Sequence, residues 1–319
     1  MNPVRTCGLS FRNRHPEAIA LSSLFLALTA AHLWAALVVT YAFRPADGLV
    51  GDGPLSTFVL SLFLTHGLGL AVGAAALARI LDIEVPLGPP AVDRLPAAAA
   101  VVSAPVLLVC AVAVTANVAF DASLATLVQT HYSPQVGPSF VVVRAFVPAA
   151  FAAVGYGLLF FGVVQQRLRA LTGPSHATVL TTVVAGVYWV GRPITSSVTR
   201  FEPNAVPGFA ATVLAGAAFC FCVGHLYRGA VHESLTSVLR VRYAPVFAVG
   251  LLALSAVLAD LADPVGGTRD LLWVATFAVG AFGYERTRSV WVPVLALAAL
   301  QFSVDVVALL EAILGVAPA

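Results

Sequence analysis

The stretch Val154–Arg169 reads VGYGLLFFGVVQQRLR. Its first eleven residues are apolar or nearly so, and it then breaks into two glutamines and two arginines. An apolar helix that ends in arginines is the expected form of a membrane span reaching the cytoplasmic headgroups, where Lys and Arg accumulate. The surrounding chain supports that reading. Of its 319 residues 60% are hydrophobic and 10% are charged, with a mean hydropathy of +0.94. Soluble domains carry roughly 25% charged residues, and a soluble fold of this size cannot hide so much apolar surface. The fold class is therefore an all-α polytopic membrane helix bundle. A net charge of +2 gives no footprint for nucleic acid.

Windows of about 20 apolar residues, the length that crosses a bilayer core, fall near 17–43, 55–81, 96–120, 138–165, 176–198, 206–227, 243–262, 270–285 and 289–314. The eighth is the shortest, and it is stopped by Tyr284-Glu285-Arg286. All 17 basic residues are arginines, which together with the abundance of Ala, Val and Gly suggests a GC-rich prokaryotic genome. When the loops are numbered alternately from inside, Arg5, Arg12, Arg14, Arg79, Arg94, Arg167, Arg169, Arg228, Arg240, Arg242, Arg286 and Arg288 fall inside. Only Arg44, Arg200 and Arg269 fall outside, and Arg144 and Arg192 lie within spans. This asymmetry predicts nine spans with the N-terminus in. The first apolar run exceeds a signal-peptide core and lacks a clear small-residue cleavage site, so it is read as a retained span. The expected place is the cell membrane, as a multi-pass protein whose surroundings are the lipid bilayer. Residues 1–137 form a three-span N-terminal region with a linker, and 138–319 a membrane core. Pro86–Pro96 reads as a proline-stiffened linker, and Asp121–Gly137 as a short amphipathic surface helix.

At the end of the fourth span, LLFFGVVQQRLR resembles the first motif of the CPBP family of intramembrane endopeptidases, which includes the type-2 CAAX prenyl proteases and the Abi proteins. The family reads Glu-Glu-x-x-x-Arg there, commonly within EELLFRGVLQRRLR. Its glutamates fall on Tyr156 and Gly157, and its arginine on Phe161. A second motif, Phe-x-x-x-His, follows a Gly-Pro turn in the family. Gly173-Pro174 resembles that turn, and TVLTTVVAGVYWVG then places Ala185 at the Phe and Trp189 at the His. The stretch GAFGYERTRSVWVPVLALAALQ, Gly280–Gln301, is similar to the family's Y-E-R-T-G-S-L-W-x-P-x-L-A-H-x-x-x-N, with the histidine on Leu297 and the asparagine on Gln301. A rival register stands beside this one. HLYRGAVHESL, His225–Leu235, also resembles the first motif; it keeps the arginine as Arg228, sets Val223 and Gly224 at the glutamates, and moves the second-motif histidine to Ala256. The fourth span has the better local match, and the sixth has the more ordinary spacing to Leu297.

In either register the chemistry implied by the resemblance is missing. The family needs a carboxylate to activate water and histidines to stabilise the oxyanion. Tyr, Gly, Trp, Ala, Val and Leu supply neither near neutral pH. The resemblance thus implies a non-catalytic homologue, a pseudoprotease that binds other membrane proteins or hydrophobic or lipidated peptides. The alternatives are an active CPBP-type endopeptidase using other residues, and a small-solute or lipid transporter suggested by the span count and scattered polar groups.

Those polar groups are His32, His66, Arg144, Arg192, Asp305 and Glu311, ionisable residues inside apolar spans where function is the default suspicion. Arg144 and Arg192 lie near span ends and can snorkel. Asp305, deepest in the last span, is a candidate partner for Arg144 or a histidine. Two single histidines on separate helices make no zinc set, and the Cys220-x-Cys222 pair has no companion pair, so it reads as buried apolar filler. No metal and no cofactor are implied.

Overall fold

The computed structural model describes residues 15–43, 59–132, 142–191, 205–232 and 244–316. Among these, helix is the only repeating secondary structure. Each of the nine expected segments carries one long helix: α1 (Pro16–Tyr41), α2 (Val59–Ile80), α3 (Val92–Phe120), α4 (Val147–Thr172), α5 (Pro174–Val190), α6 (Ala205–Val231), α7 (Ala244–Ala262), α8 (Pro264–Thr287) and α9 (Trp291–Ile313). Seven of them are long and apolar enough to cross a membrane, all except α5 and α8. The described part of α5 has 17 residues, just under a span's usual length. α8 carries Arg269 and Asp270 near one end and Glu285 and Arg286 near the other, and it is bent at Val265–Gly266. The protein is a multi-pass helical membrane bundle.

The helices end where the sequence punctuates them. Gly173, at φ +83°, turns the chain from α4 into α5, and Pro174 opens α5 at the position where its missing N–H loses nothing. Asp263 caps α8 by accepting a hydrogen bond from the backbone N–H of Val265, with Pro264 at the first helical position.

α4 is the hub. Two thirds (67%) of its apolar window is buried inside the protein, against 6% for α7 on the perimeter. A helix buried on most sides must be apolar nearly all round, and the first eleven residues of the quoted stretch are. From Leu158 to Gln165 it also widens into a π-helix, with Leu159, Phe160, Phe161, Val163, Val164 and Gln165 all buried. A second π-helical stretch, Phe63–Leu70 in α2, packs against the preceding part of α4, Val147–Gly157. π-Segments are rare and tend to occur at functional or strained places. Small residues set the close approaches, as expected where lipid gives no hydrophobic force between helices. A Cβ on Gly157 would overlap the side chain of Val294 in α9, and one on Gly280 in α8 would lie 2.8 Å from the Phe161 ring. One apolar core runs through the bundle and draws on both sides of residue 137, from Phe25 and Leu70 to Phe160, Phe277 and Leu300.

The expected surface helix at Asp121–Gly137 takes another form in its described part. It is a single turn, Leu124–Leu127, capped by Ser123, with Leu124, Ala125 and Val128 buried against the bundle. Glu311 of α9 explains the burial: its two carboxylate oxygens accept the Leu124 and Ala125 N–H groups, each at 2.8 Å.

Candidate functional site

The positions of the first register come together at the centre. Tyr156 is buried, with its ring 5.4 Å from Trp189 (edge to face), 6.0 Å from Trp273 and 5.6 Å from His66. Trp189 lies flat on Trp273 with ring centres 4.0 Å apart. Its indole N–H donates to Asp270 Oδ1 at 3.0 Å. Phe160 and Phe277, 4.8 Å apart, close the cluster from one side. Phe161 is fully buried against Phe277 and Gly280. On α9, Leu297 is buried one turn after Val294, the residue that Gly157 touches, and Gln301 lies one turn further along the same face.

The rival register is placed elsewhere. Gly224 packs on the backbone of Ala18 in α1, and Arg228 pairs with Glu17 at 3.2 Å. Val223 is half-buried, and Ala256 is exposed on α7.

Where the aromatic cluster ends, a recess of about 230 Å³ remains, walled by Trp189, Trp273, Leu300 and Val304 and edged by Thr130, Arg269 and Gln301. Its electrostatics come from three charges. Arg269 Nε lies 3.8 Å from Asp270 Oδ1, an ion pair too long for a hydrogen bond, and Nε makes no hydrogen bond. Asp305 is buried beside the recess; Tyr132 donates its hydroxyl to Oδ1 at 2.9 Å and Gln301 donates Nε2 to Oδ2 at 3.0 Å. Two partners of Asp305 are thus Tyr132 and Gln301; its expected pairing with Arg144 falls outside the described residues. The side chain of Arg144, and the whole of Arg192, lie outside the described residues. His66 packs edge to face on Tyr156, and His32 on Tyr188 with centres 6.1 Å apart. Glu311 holds backbone at the far end of α9. Among the described residues, no cluster of three or more His, Cys, Asp and Glu side chains has the arrangement of a metal site.

At the other end of α4 the arginine-rich tail is tied to the Tyr284–Ser289 stretch. Gln165 Nε2 donates to the Ala281 carbonyl at 2.9 Å and to Glu285 Oε1 at 3.2 Å. Glu285 Oε2 lies 2.9 Å from Arg288 and 3.6 Å from Arg169. The two stretches that the arginine alternation assigns to one side are in direct contact.

Asp270, Trp273 and Tyr132 escape sequence reading. Asp270 and Trp273 are three apart, hence on one helix face. That spacing is the one local signal, and it carries no hint that Trp189 lies opposite. Comparison with family models, with curated proteins and with solved structures finds no match to this chain.

Proposed function

We propose that this chain is a non-catalytic, CPBP-like protein of the cell membrane, with nine spans and the N-terminus inside, that holds a hydrophobic peptide or the end of a partner membrane protein. One observation carries the reading. Tyr156, Gly157 and Trp189 stand where the resemblance would set two carboxylates and a histidine, Trp273 stacks on Trp189, and a recess of about 230 Å³ remains beside them. Its indole walls take apolar side chains. Arg269 offers guanidinium donors to a carboxylate, and Gln301 and Thr130 offer hydrogen bonds to a peptide backbone. A peptide ending in a free carboxylate meets all three.

The test is the intrinsic fluorescence of Trp189 and Trp273 in the full chain, titrated with apolar pentapeptides bearing either a C-terminal carboxylate or an amide. The carboxylate is expected to bind about tenfold more tightly, with the preference lost in Arg269→Gln; a charged hydrogen bond contributes roughly 1.5–3 kcal/mol. Equal, undetectable response to both peptides contradicts the reading.

A second reading has one observation in its favour: two carboxylates, Asp270 and Asp305, flank the recess. A hydrolase could use such a pair to activate water. Both, however, are already engaged, Asp270 by Trp189 and Arg269 and Asp305 by Tyr132 and Gln301. Carboxylates held by this many donors serve better as anchors than as bases.

A further inference from the structure

Two recesses, one apolar and one half polar, meet at Arg167, at the end of the bundle away from the Trp189–Trp273 recess. One is an apolar groove of about 680 Å³ between α1, α2 and the tail of α4, walled by Ile19, Leu24, Ala27, Leu77 and Leu81. The other, of about 420 Å³, is half polar, with Asp82, Glu84, Gln166 and Arg167 beside apolar lining such as Ile83 and Val85. Arg167 lines both. Among the described residues, Arg167, Asp82 and Glu84 form no ion pair, although Arg169, Arg228 and Arg288 close by in the sequence or the fold all do. Each of the three therefore keeps its charge available at the junction.

The dimensions match one membrane component. The α1 wall of the groove runs from Pro16 to Ala27, about 16 Å at 1.5 Å per residue. That is about half of the roughly 30 Å hydrocarbon core, the depth of one leaflet. With Arg167 set at headgroup level, a groove of that length would end near the bilayer midplane, the path of one acyl chain. At its mouth the cation comes first, and the two carboxylates lie beyond it in the second recess.

We infer that this double recess, apolar groove and charged mouth joined at Arg167, holds a phosphatidylethanolamine molecule. One acyl chain lies along α1 in the groove, the phosphate sits on the Arg167 guanidinium, and the ammonium reaches Asp82 and Glu84. Charge complementarity selects this headgroup. An anionic headgroup such as phosphoglycerol would satisfy Arg167 but bring no cation to the carboxylates. A choline headgroup carries a cation without N–H donors, so it cannot hydrogen-bond to them, whereas a primary ammonium has three. The inference rests on the chain spanning a membrane and is independent of what the Trp189–Trp273 recess binds.

The test is native mass spectrometry of the full chain, purified in a mild detergent and offered equal amounts of phosphatidylethanolamine, phosphatidylglycerol and phosphatidylcholine. The wild type is expected to retain one phosphatidylethanolamine in preference to the other two. Arg167→Gln lowers that retention about tenfold, through the loss of a charge-assisted contact to phosphate. The Asp82→Asn/Glu84→Gln double variant keeps lipid but no longer prefers phosphatidylethanolamine over phosphatidylglycerol. Ala27→Phe, which fills the groove without touching the charges, lowers retention of all three lipids. The variants are compared only after their elution and thermal unfolding in lipid-free detergent match the wild type; Arg167 is partly exposed, so its loss leaves the core intact. Equal retention of the three lipids by the wild type, a preference for phosphatidylglycerol, or retention unchanged in Arg167→Gln and Ala27→Phe overturns the inference.

Discussion

Gly157 shows how firmly single residues commit the interior. Its Cα faces Val294 so closely that no side chain fits. Gly157→Glu would bring both an overlap, costing typically 1–3 kcal/mol, and a carboxylate with no buried partner, which costs more. The expected outcome is a protein that fails to reach a folded, monodisperse state in detergent, read by size-exclusion profile and thermal unfolding. Trp189 is committed in a different way, by a stack on Trp273 and a hydrogen bond to Asp270. Trp189→Phe keeps most of the aromatic contact and loses one hydrogen bond to a charged acceptor, roughly 1.5–3 kcal/mol. Trp189→Ala loses the ring as well, roughly 3–5 kcal/mol. Thermal denaturation of the two variants should rank them in that order, and equal Tm values would show that the stack contributes nothing. At this scale the sequence was legible in part. That Tyr156, Gly157 and Leu297 cannot do hydrolysis follows from their chemistry alone. That Trp189 finds Asp270 and Trp273 across 81 and 84 residues of chain is a packing fact, with no local pattern to announce it.

Among elements, the arginine-rich tail of α4 and the end of α8 are joined by Glu285, which faces Gln165, Arg169 and Arg288 at once. The link was foreseeable from the positive-inside pattern, which assigns both stretches to one side. The short helix Leu124–Leu127 was not foreseeable. Spaced apolar residues after α3 suggest a helix lying on the membrane surface, but Glu311, six residues beyond Asp305 on another helix, reaches its first N–H groups and draws it inward. A carboxylate at a helix N-terminus is well placed for charge and for hydrogen bonding alike. Glu311→Ala is therefore expected to destabilise the protein by about 2–3 kcal/mol through the loss of charged hydrogen bonds. Hydrogen exchange should localise the effect, with faster exchange at Leu124 and Ala125 and none added in α4. Uniform loss of protection across all helices would place Glu311 in the global core instead. The weakest helices by sequence, α5 and α8, pack against the hub despite being short or polar-ended, because tertiary burial outweighs apolar length where a helix faces protein rather than lipid.

At the scale of the whole molecule, composition was the most legible feature: a chain that is 60% hydrophobic and 10% charged becomes a multi-pass helical bundle around a largely buried central helix. The orientation of the helices in the membrane is an expectation drawn from the arginines alone. Single-cysteine labelling tests the proposed orientation, in a background where Cys7, Cys110, Cys220 and Cys222 are replaced. Cysteines at Glu84 and Arg286 should react with an impermeant reagent from the cytoplasmic side alone, and one at Arg269 from the opposite side. Labelling of all three from one face would contradict nine spans. In the proposed function the aromatic interior binds and does not cleave. That claim is tested most directly by incubating the full chain, purified and reconstituted in liposomes, with a library of apolar and lipidated peptides, beside Asp270→Asn and Asp305→Asn. A general base typically contributes about 10²–10⁴ in rate, and none stands at Tyr156, Gly157, Trp189 or Leu297. The prediction is no product above the protein-free background for any of the three proteins. Reproducible cleavage by the wild type that disappears in either Asp→Asn variant would contradict the claim and establish a relocated catalytic carboxylate.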